Sequence, residues 1–216
     1  MSTVAVIGAT GFVGSKVVTE LVNRGYTVKA IARDISKLPQ HEKIQAISAD
    51  VYAEDDLIEK LKGADAVIST FNAGWDNPNL YDDFLKGSRI IERSVEKAGI
   101  KRLIVVGGAG SLYIDGKQIV DGPDFPAAFK PGALAARDYL SEIKKNTTLD
   151  WTFFSPAIEM NPTTAGQRKG SYRTNTENPV FDENGRSIIS VEDVAVVLVD
   201  ELEKGQFIRQ RFTAAY

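Results

Sequence analysis

At 216 residues the chain, read as one domain over 1–216, is long enough to bury a sizeable α/β core and leaves little room for a second domain. Its 26 basic and 29 acidic residues give a formal charge of −3 with no long basic run, which argues against nucleic acid as a partner. The absence of cysteine excludes disulfides, thiolate nucleophiles and cysteine metal sites. No basic leader precedes the first apolar run, and no stretch approaches the ~18 apolar residues of a membrane span, so the expectation is a soluble, cytoplasmic protein.

The chain begins with an apolar run, Val4-Ala5-Val6-Ile7, that feeds into Gly8-Ala9-Thr10-Gly11-Phe12-Val13-Gly14 and then into Val17, Val18, Leu21 and Val22 at helical spacing. This is a strand, a glycine turn and a helix start, closed by Gly25 at a C-terminal cap. Gly8 permits the tight turn, Gly11 removes a side chain facing a phosphate, and Gly14 lets the helix pack closely. Backbone amides and the positive end of the helix then suit a pyrophosphate, so the turn predicts dinucleotide binding.

Further strands are predicted at Thr27 to Arg33, Ile44 to Ser48, Ala66 to Ser69, Leu103 to Val106 and Trp151 to Ser155. Helices are predicted near Asp55 to Leu61, from Leu80 to Lys97, and from about Pro131 to Lys145. In the second of these, Leu80, Phe84, Ile91, Val95 and Ala98 share a face, Asn77-Pro78 marks the start and Gly99 the end. Alternation of this kind, with strands reading as continuous apolar runs, implies a Rossmann-type, doubly wound parallel sheet with helices on both faces. The last third departs from the rhythm. Gly170 to Ser190, around Asp182-Glu183-Asn184-Gly185, reads as a hairpin or paired extended segments, forming a small C-terminal substrate-side elaboration. Ser190-Val191-Glu192-Asp193 resembles a capping box opening a helix to about Lys204, and Arg211-Phe212-Thr213 reads as a terminal strand.

Ligands of such sheets bind beyond the carboxyl ends of the strands. Ala32-Arg33-Asp34 ends the second strand where the adenine ribose would lie. Arg33 favours the 2′-phosphate of NADP, whereas Asp34 in the ribose role would favour NAD. Asp50, after the third strand, stands where a carboxylate reaches the adenine amino group, or else caps a helix or a turn. His41 is the only histidine and lies in a polar stretch, so a histidine-based triad or metal site is not expected. Arg168, Lys169 and Arg173 read as a solvated rim or as contacts to an anionic substrate. Glu159 follows the sixth strand without an assigned role.

The order and spacing of the glycine turn, Ala32-Arg33-Asp34, Ala49-Asp50-Val51, Val67-Ile68-Ser69, Val106-Gly107-Gly108-Ala109-Gly110-Ser111, Asp150 to Pro156 and Ile189 to Ala195 resemble the atypical short-chain dehydrogenase/reductase superfamily. Within it the chain is most similar to the NmrA-like NAD(P)H-binding proteins that include flavin reductase and biliverdin reductase B. The resemblance covers nearly the whole chain, in a family of mixed function. Together with the turn it implies a cofactor-contacting set of Gly8, Thr10, Gly11, Phe12, Val13, Gly14, Arg33, Asp50, Val51, Thr70, Phe71, Asn72, Gly107, Gly108 and Pro156.

The classical branch of that superfamily pairs a serine after the fifth strand with a Tyr-x-x-x-Lys motif. Ser111 matches the serine. Spacing back from Asp150-Trp151 puts Ala133 and Arg137 at the tyrosine and lysine positions. Tyr113 to Lys117 fits the motif literally but contains the turn signal Asp115-Gly116, and Tyr139 with Lys144 is one residue too long. A flavin (FMN or FAD) or a quinone accepts hydride with its charge delocalised and its proton drawn from solvent, so the missing pair points to such a small-molecule acceptor. Ser111 is the candidate donor beside the reacting atoms; Trp75 and Tyr113, with Phe71, are candidate ring-stacking residues. The alternatives are a cofactor-binding sensor without turnover and an enzyme resembling the nucleotide-sugar epimerases and dehydratases.

Overall fold

The computed structural model describes residues 2–216. The elements in chain order are β1 (Thr3–Ile7), α1 (Phe12–Asn23), β2 (Thr27–Ala32), β3 (Ile44–Ser48), α2 (Glu54–Leu61), β4 (Ala66–Ser69), α3 (Leu80–Lys97), β5 (Arg102–Val106), the two short strands β6 (Tyr113–Ile114) and β7 (Lys117–Gln118), α4 (Lys130–Ile143), β8 (Asp150–Phe154), β9 (Arg173–Asn175), α5 (Val191–Lys204) and β10 (Gln210–Ala215). The main sheet runs in the order β3-β2-β1-β4-β5-β8-β10-β9. Its first seven strands are mutually parallel, and β9 is an antiparallel edge strand on β10. This is a Rossmann arrangement whose strand order reverses between β1 and β4, the crevice where such sheets bind ligands.

Alternating side chains of the buried strands feed two separate cores. On one face Val4, Val6, Ile104, Phe154 and Phe212 pack with Val17, Leu21, Val194 and Leu198 of α1 and α5. On the other, Ala5, Ile7, Val105 and Phe153 pack with Leu57, Phe84, Ile91 and Leu140 of α2, α3 and α4. The apolar face predicted for α3 is the buried one, and Gly99, at φ +78°, lets the chain turn back after its last residues. Helix α1 ends in the predicted glycine motif. Gly25, at φ +89°, donates to the Val22 carbonyl while Tyr26 donates to Leu21, so two of the last carbonyls are satisfied.

The C-terminal third corrects two expectations. Residues 170–190 do not form a hairpin. Asp182 and Arg186 close the predicted tight turn, but the only strand there, β9, pairs with β10 instead. The Ser190 cap is half of a capping box. Its Oγ accepts the Asp193 amide at 3.1 Å, while the Ser190 amide donates to the hydroxyl of Tyr216 at 3.2 Å rather than to the Asp193 carboxylate. That carboxylate is fully buried and instead accepts the amides of Lys169 and Gly170, each at 2.8 Å, and the Tyr216 hydroxyl at 2.5 Å. A buried charge needs this many donors, and here they tie the 168–170 segment and the last residue to the start of α5.

Candidate cofactor and acceptor site

The turn after β1 is built by close approach. Gly8 adopts φ +81°, and a Cβ there would lie 2.8 Å from the Thr70 carbonyl oxygen. The Thr70 hydroxyl donates to the Ile7 carbonyl at 2.9 Å and its amide does the same, bolting the end of β4 to the turn across the crevice. At Gly14 a Cβ would fall 2.1 Å from the Gly8 carbonyl oxygen and 2.7 Å from Thr70 Oγ1, so only glycine lets α1 seat on the turn. Gly11 has an ordinary φ of −75° and is exposed, and its Cβ would meet only the Gly8 carbonyl oxygen at 3.2 Å; the bare backbone there faces outward. The amides of Thr10, Phe12 and Val13 have no acceptor among the described residues, and the first turn of α1 carries no acidic side chain. Unspent amides at a helix N-terminus are what a pyrophosphate requires, and this cradle fits one.

At the ends of β2 and β3, Arg33 is exposed and its carbonyl is held by Ser48 Oγ at 3.1 Å. Asp34 is turned to local use. Its carboxylate accepts the Ser36 amide at 2.9 Å, and hydrogen bonding from Ser36 holds its pKa below the usual value. Asp50 closes a similar turn with the Tyr52 amide at 3.0 Å, and Val51 is buried against the core on the α2 and α3 face.

Beyond β5 the chain runs through Gly107 and Gly108 into a single tight turn of 3-10 helix, Ala109–Ser111. Gly107 lies on the ring of Phe153, where a Cβ would approach to 2.0 Å. Ser111 is 0 % exposed, and its Oγ donates to the Gly108 carbonyl at 3.0 Å and lies 2.9 Å from the hydroxyl of Ser155, one residue before the buried Pro156. The Ser111 carbonyl is gripped by Arg211, whose Nη1 donates to it at 2.5 Å while Nε donates to Thr176. Arg211 is buried in β10 and pairs with Glu177 at 2.6 Å. Neither Ser155 nor Arg211 stood out in the sequence: a serine at a strand end and an arginine in a strand give no periodic signal.

Helix α4 lies directly against this turn. Ala133 is buried, and a Cβ on Gly110 would approach its methyl to 3.0 Å. The helical position packed on Gly110, the residue before the serine, thus carries a methyl group and no phenol. Arg137 is held by Asp138 at 2.8 Å and Asp121 at 3.2 Å. The literal motif from Tyr113 to Lys117 is the β6–β7 hairpin, with Asp115 and Gly116 both at positive φ. Tyr139 is buried, donates to Glu92 at 3.0 Å, and burial pushes its pKa well up.

Five large apolar side chains are exposed on the segments that follow parallel strands: Phe12 after β1, Trp75 after β4, Ile114 and Phe129 between β5 and α4, and Ile158 after β8. Phe71 is not among them. Its ring stacks on Phe84 at 5.9 Å, meets Tyr52 edge-on, and occupies the space left by Gly87, whose Cβ would come within 2.5 Å of it. Asn72 folds its side chain onto the Gly74 amide at 2.7 Å. Tyr113 is half-buried beside the Arg211 guanidinium, 5.4 Å from its ring centroid.

The remaining polar candidates are spent structurally. Arg168 pairs with Glu20, Lys169 lies over the Tyr216 ring, Arg173 donates to the Phe181 and Tyr216 carbonyls, and Glu159 pairs with Arg186. His41 accepts the Lys43 amide in its own turn. Among the described residues no cluster of three or more histidine, aspartate or glutamate side chains is placed to hold a metal, and no helix is long and apolar enough to cross a membrane.

The glycine turn at the sheet's reversal point, seated against Thr70, defines a dinucleotide-binding Rossmann protein. A family model described as NAD(P)H-binding matches residues 8–205. The chain belongs to that family of oxidoreductase-like proteins. It is similar to the uncharacterized protein YwnB of Bacillus subtilis, at 34% identity over 97% of this chain and 96% of the relative. A crystal structure from Bacteroides thetaiotaomicron, of a proposed epimerase, superposes with a TM-score of 0.91 at 41% identity, covering 100% of this chain and 97% of that one. Another from Streptococcus pneumoniae, of a proposed NADH-flavin reductase, gives 0.87 at 39% identity, covering 100% and 99%.

Proposed function

We propose that the chain is an NADPH-preferring reductase that passes hydride directly to a planar flavin- or quinone-type acceptor. The observation that carries this reading is α4, which places Ala133 against the Ser111 turn and ties Arg137 to two aspartates, so the helix brings no tyrosine–lysine pair to the site. Reduction of a ketone needs a proton at the developing alkoxide; an acceptor that delocalises its charge takes the proton from solvent. When bound, the dihydronicotinamide supplies hydride: a C–H bond breaks, two electrons and a hydrogen pass to the acceptor ring, and water supplies the second proton.

The chain's own residues do the rest. The Thr10, Phe12 and Val13 amides hold the pyrophosphate, Arg33 faces the 2′-phosphate, and Asp50 with Val51 borders the adenine. Thr70, Asn72, Gly107, Gly108 and Pro156 border the crevice, and Ser111 steadies the Gly108 carbonyl. The kinship with a proposed NADH-flavin reductase supports the acceptor class. A sensor without turnover is the second reading, favoured by the burial of the Ser111 hydroxyl and the commitment of its proton. Steady-state oxidation of NADPH with FMN, FAD or a naphthoquinone separates the two: acceptor-dependent turnover is expected, and tight NADPH binding in calorimetry with none would establish the sensor. Replacing Arg33 with alanine is expected to erase the preference for NADPH over NADH; an unchanged ratio would sink its assigned role.

A further inference from the structure

We infer that Trp75, Phe129 and Gly132 form a wall that selects flat, fused-ring hydride acceptors; the inference rests on the reductase reading above. Two large aromatic side chains are left uncovered side by side, Trp75 at 58% and Phe129 at 53% exposure, with ring centroids 5.5 Å apart and planes at 81°. A contiguous apolar patch of this kind marks a binding surface, and two rings set edge to face present one flat side and one edge to a planar guest.

The pair is built into the fold. The benzo edge of the indole lies on Gly132 in the first turn of α4, where a Cβ would come within 2.9 Å of Trp75 Cζ3 and 3.2 Å of Leu80. Any larger residue would lift the ring off the helix. The loop carrying Trp75 is pinned as well. Asn77 donates to the Ala73 carbonyl at 3.2 Å and to Asp83 at 2.8 Å, and its own side chain accepts the Asn79 amide. A solvent-facing tryptophan held this firmly loses little side-chain entropy when a ring settles on it.

Continuity with the crevice names the occupant. Gly132 is followed by Ala133, which touches Gly110, which precedes Ser111, so the wall is one contact removed from the turn that borders the hydride donor's site. Its position past β4 and β5 is the acceptor side of the switch point. The contacts along that path are made by Gly132, Ala133 and Gly110, a glycine-alanine surface that suits the apolar face of an isoalloxazine or naphthoquinone and not a sugar or an aliphatic ketone. The wall therefore acts through binding and leaves the chemical step alone.

The test is FMN fluorescence in protein saturated with NADP⁺, where no turnover occurs, together with steady-state kinetics for FMN and menadione. Wild type should quench FMN on binding. Trp75→Ala should abolish most of the quenching and raise the acceptor KM on the order of ten-fold or more, the range of aromatic stacking losses, with the KM for NADPH unchanged. Trp75→Phe should recover part of it. Gly132→Ala should raise the acceptor KM in the wild-type background and leave it unchanged in the Trp75→Ala background, which separates displacement of the indole from damage to α4. Equal quenching and KM in wild type and Trp75→Ala would overturn the wall while leaving a working reductase. Quenching without turnover would keep the wall and remove the reductase reading. A change in sedimentation from dimer to monomer on Trp75→Ala, with acceptor kinetics intact, would assign the patch to a second copy of the chain and overturn the proposal.

Discussion

Two alanine substitutions three residues apart in the chain, at Gly11 and Gly14, should fail in different ways. At Gly14 the new methyl would sit 2.1 Å from a backbone oxygen, so α1 must retreat by roughly 1 Å to reach even the shortest separation real Cβ atoms show. Overpacking on this scale costs about 1–3 kcal/mol, which for a chain of this size lowers Tm by roughly 2–12 °C. At Gly11 the methyl meets one oxygen at 3.2 Å in an ordinary backbone conformation, and the loss of stability should stay below about 1 kcal/mol. That methyl nevertheless stands where the pyrophosphate must approach the Thr10, Phe12 and Val13 amides. Losing one or two charge-assisted hydrogen bonds, about 1.5–3 kcal/mol each, weakens NADPH binding by at least about ten-fold. Differential scanning fluorimetry without ligand and calorimetric titration with NADPH read the two effects separately. Gly11→Ala binding NADPH as tightly as wild type would refute the assignment of the turn as the pyrophosphate site.

Ser111→Ala should lower kcat by less than about ten-fold, because its hydroxyl is committed to Gly108 and Ser155; a loss of ~10²–10⁴ would instead identify a general acid and contradict direct transfer. Arg211→Met should lower Tm, since the half-buried Thr176 carbonyl loses its guanidinium donor and the carbonyl of buried Ser111 keeps only Gln118, at up to about 1–3 kcal/mol per orphaned group; chemical denaturation checks it. Burial works to raise the Asp200 pKa, but hydrogen bonds from Lys204, Tyr172 and Arg24 outweigh it and hold the carboxyl at about 2 against 3.8 unfolded. A depressed carboxyl stabilises the fold above pH 3.8 and loses that contribution as pH falls towards about 2, so Asp200→Asn should flatten the acid limb of Tm against pH; an unchanged limb would show the cluster to be neutral.

What the sequence disclosed follows from the kind of signal each segment carries. Ile44–Ser48, Ala66–Ser69 and Leu80–Lys97 stand where predicted, because short apolar-rich segments and an amphipathic face bounded by Pro78 and Gly99 are local properties. An extended segment was expected around β9, but its partner was illegible because Arg173, Thr174 and Asn175 are all exposed and pair with β10, about forty residues downstream. Phe71 looks like a stacking residue from its place after β4, yet the gap that receives it is opened by Gly87 on another element. The same holds for Trp75 and Gly132: each is ordinary alone, and only the fold joins them. Ser190 was recognisable as a cap, whereas its second partner is contributed by Tyr216 at the far end of the chain.

The sheet separates two cores, and each carries a different part of the site. The glycine turn and α1 rest on the core shared with α5, whereas the loops bearing Trp75, Phe129 and the Ser111 turn lean on α3 and α4 across the sheet. Thr70 joins the two sides, and substitutions beyond it on opposite sides of the sheet combine nearly additively. On the reading proposed above, drift in the acceptor loops past Thr70 therefore leaves the nucleotide cradle undisturbed. A scaffold partitioned in this way can exchange one hydride acceptor for another through successive functional intermediates, each still loaded with the same cofactor.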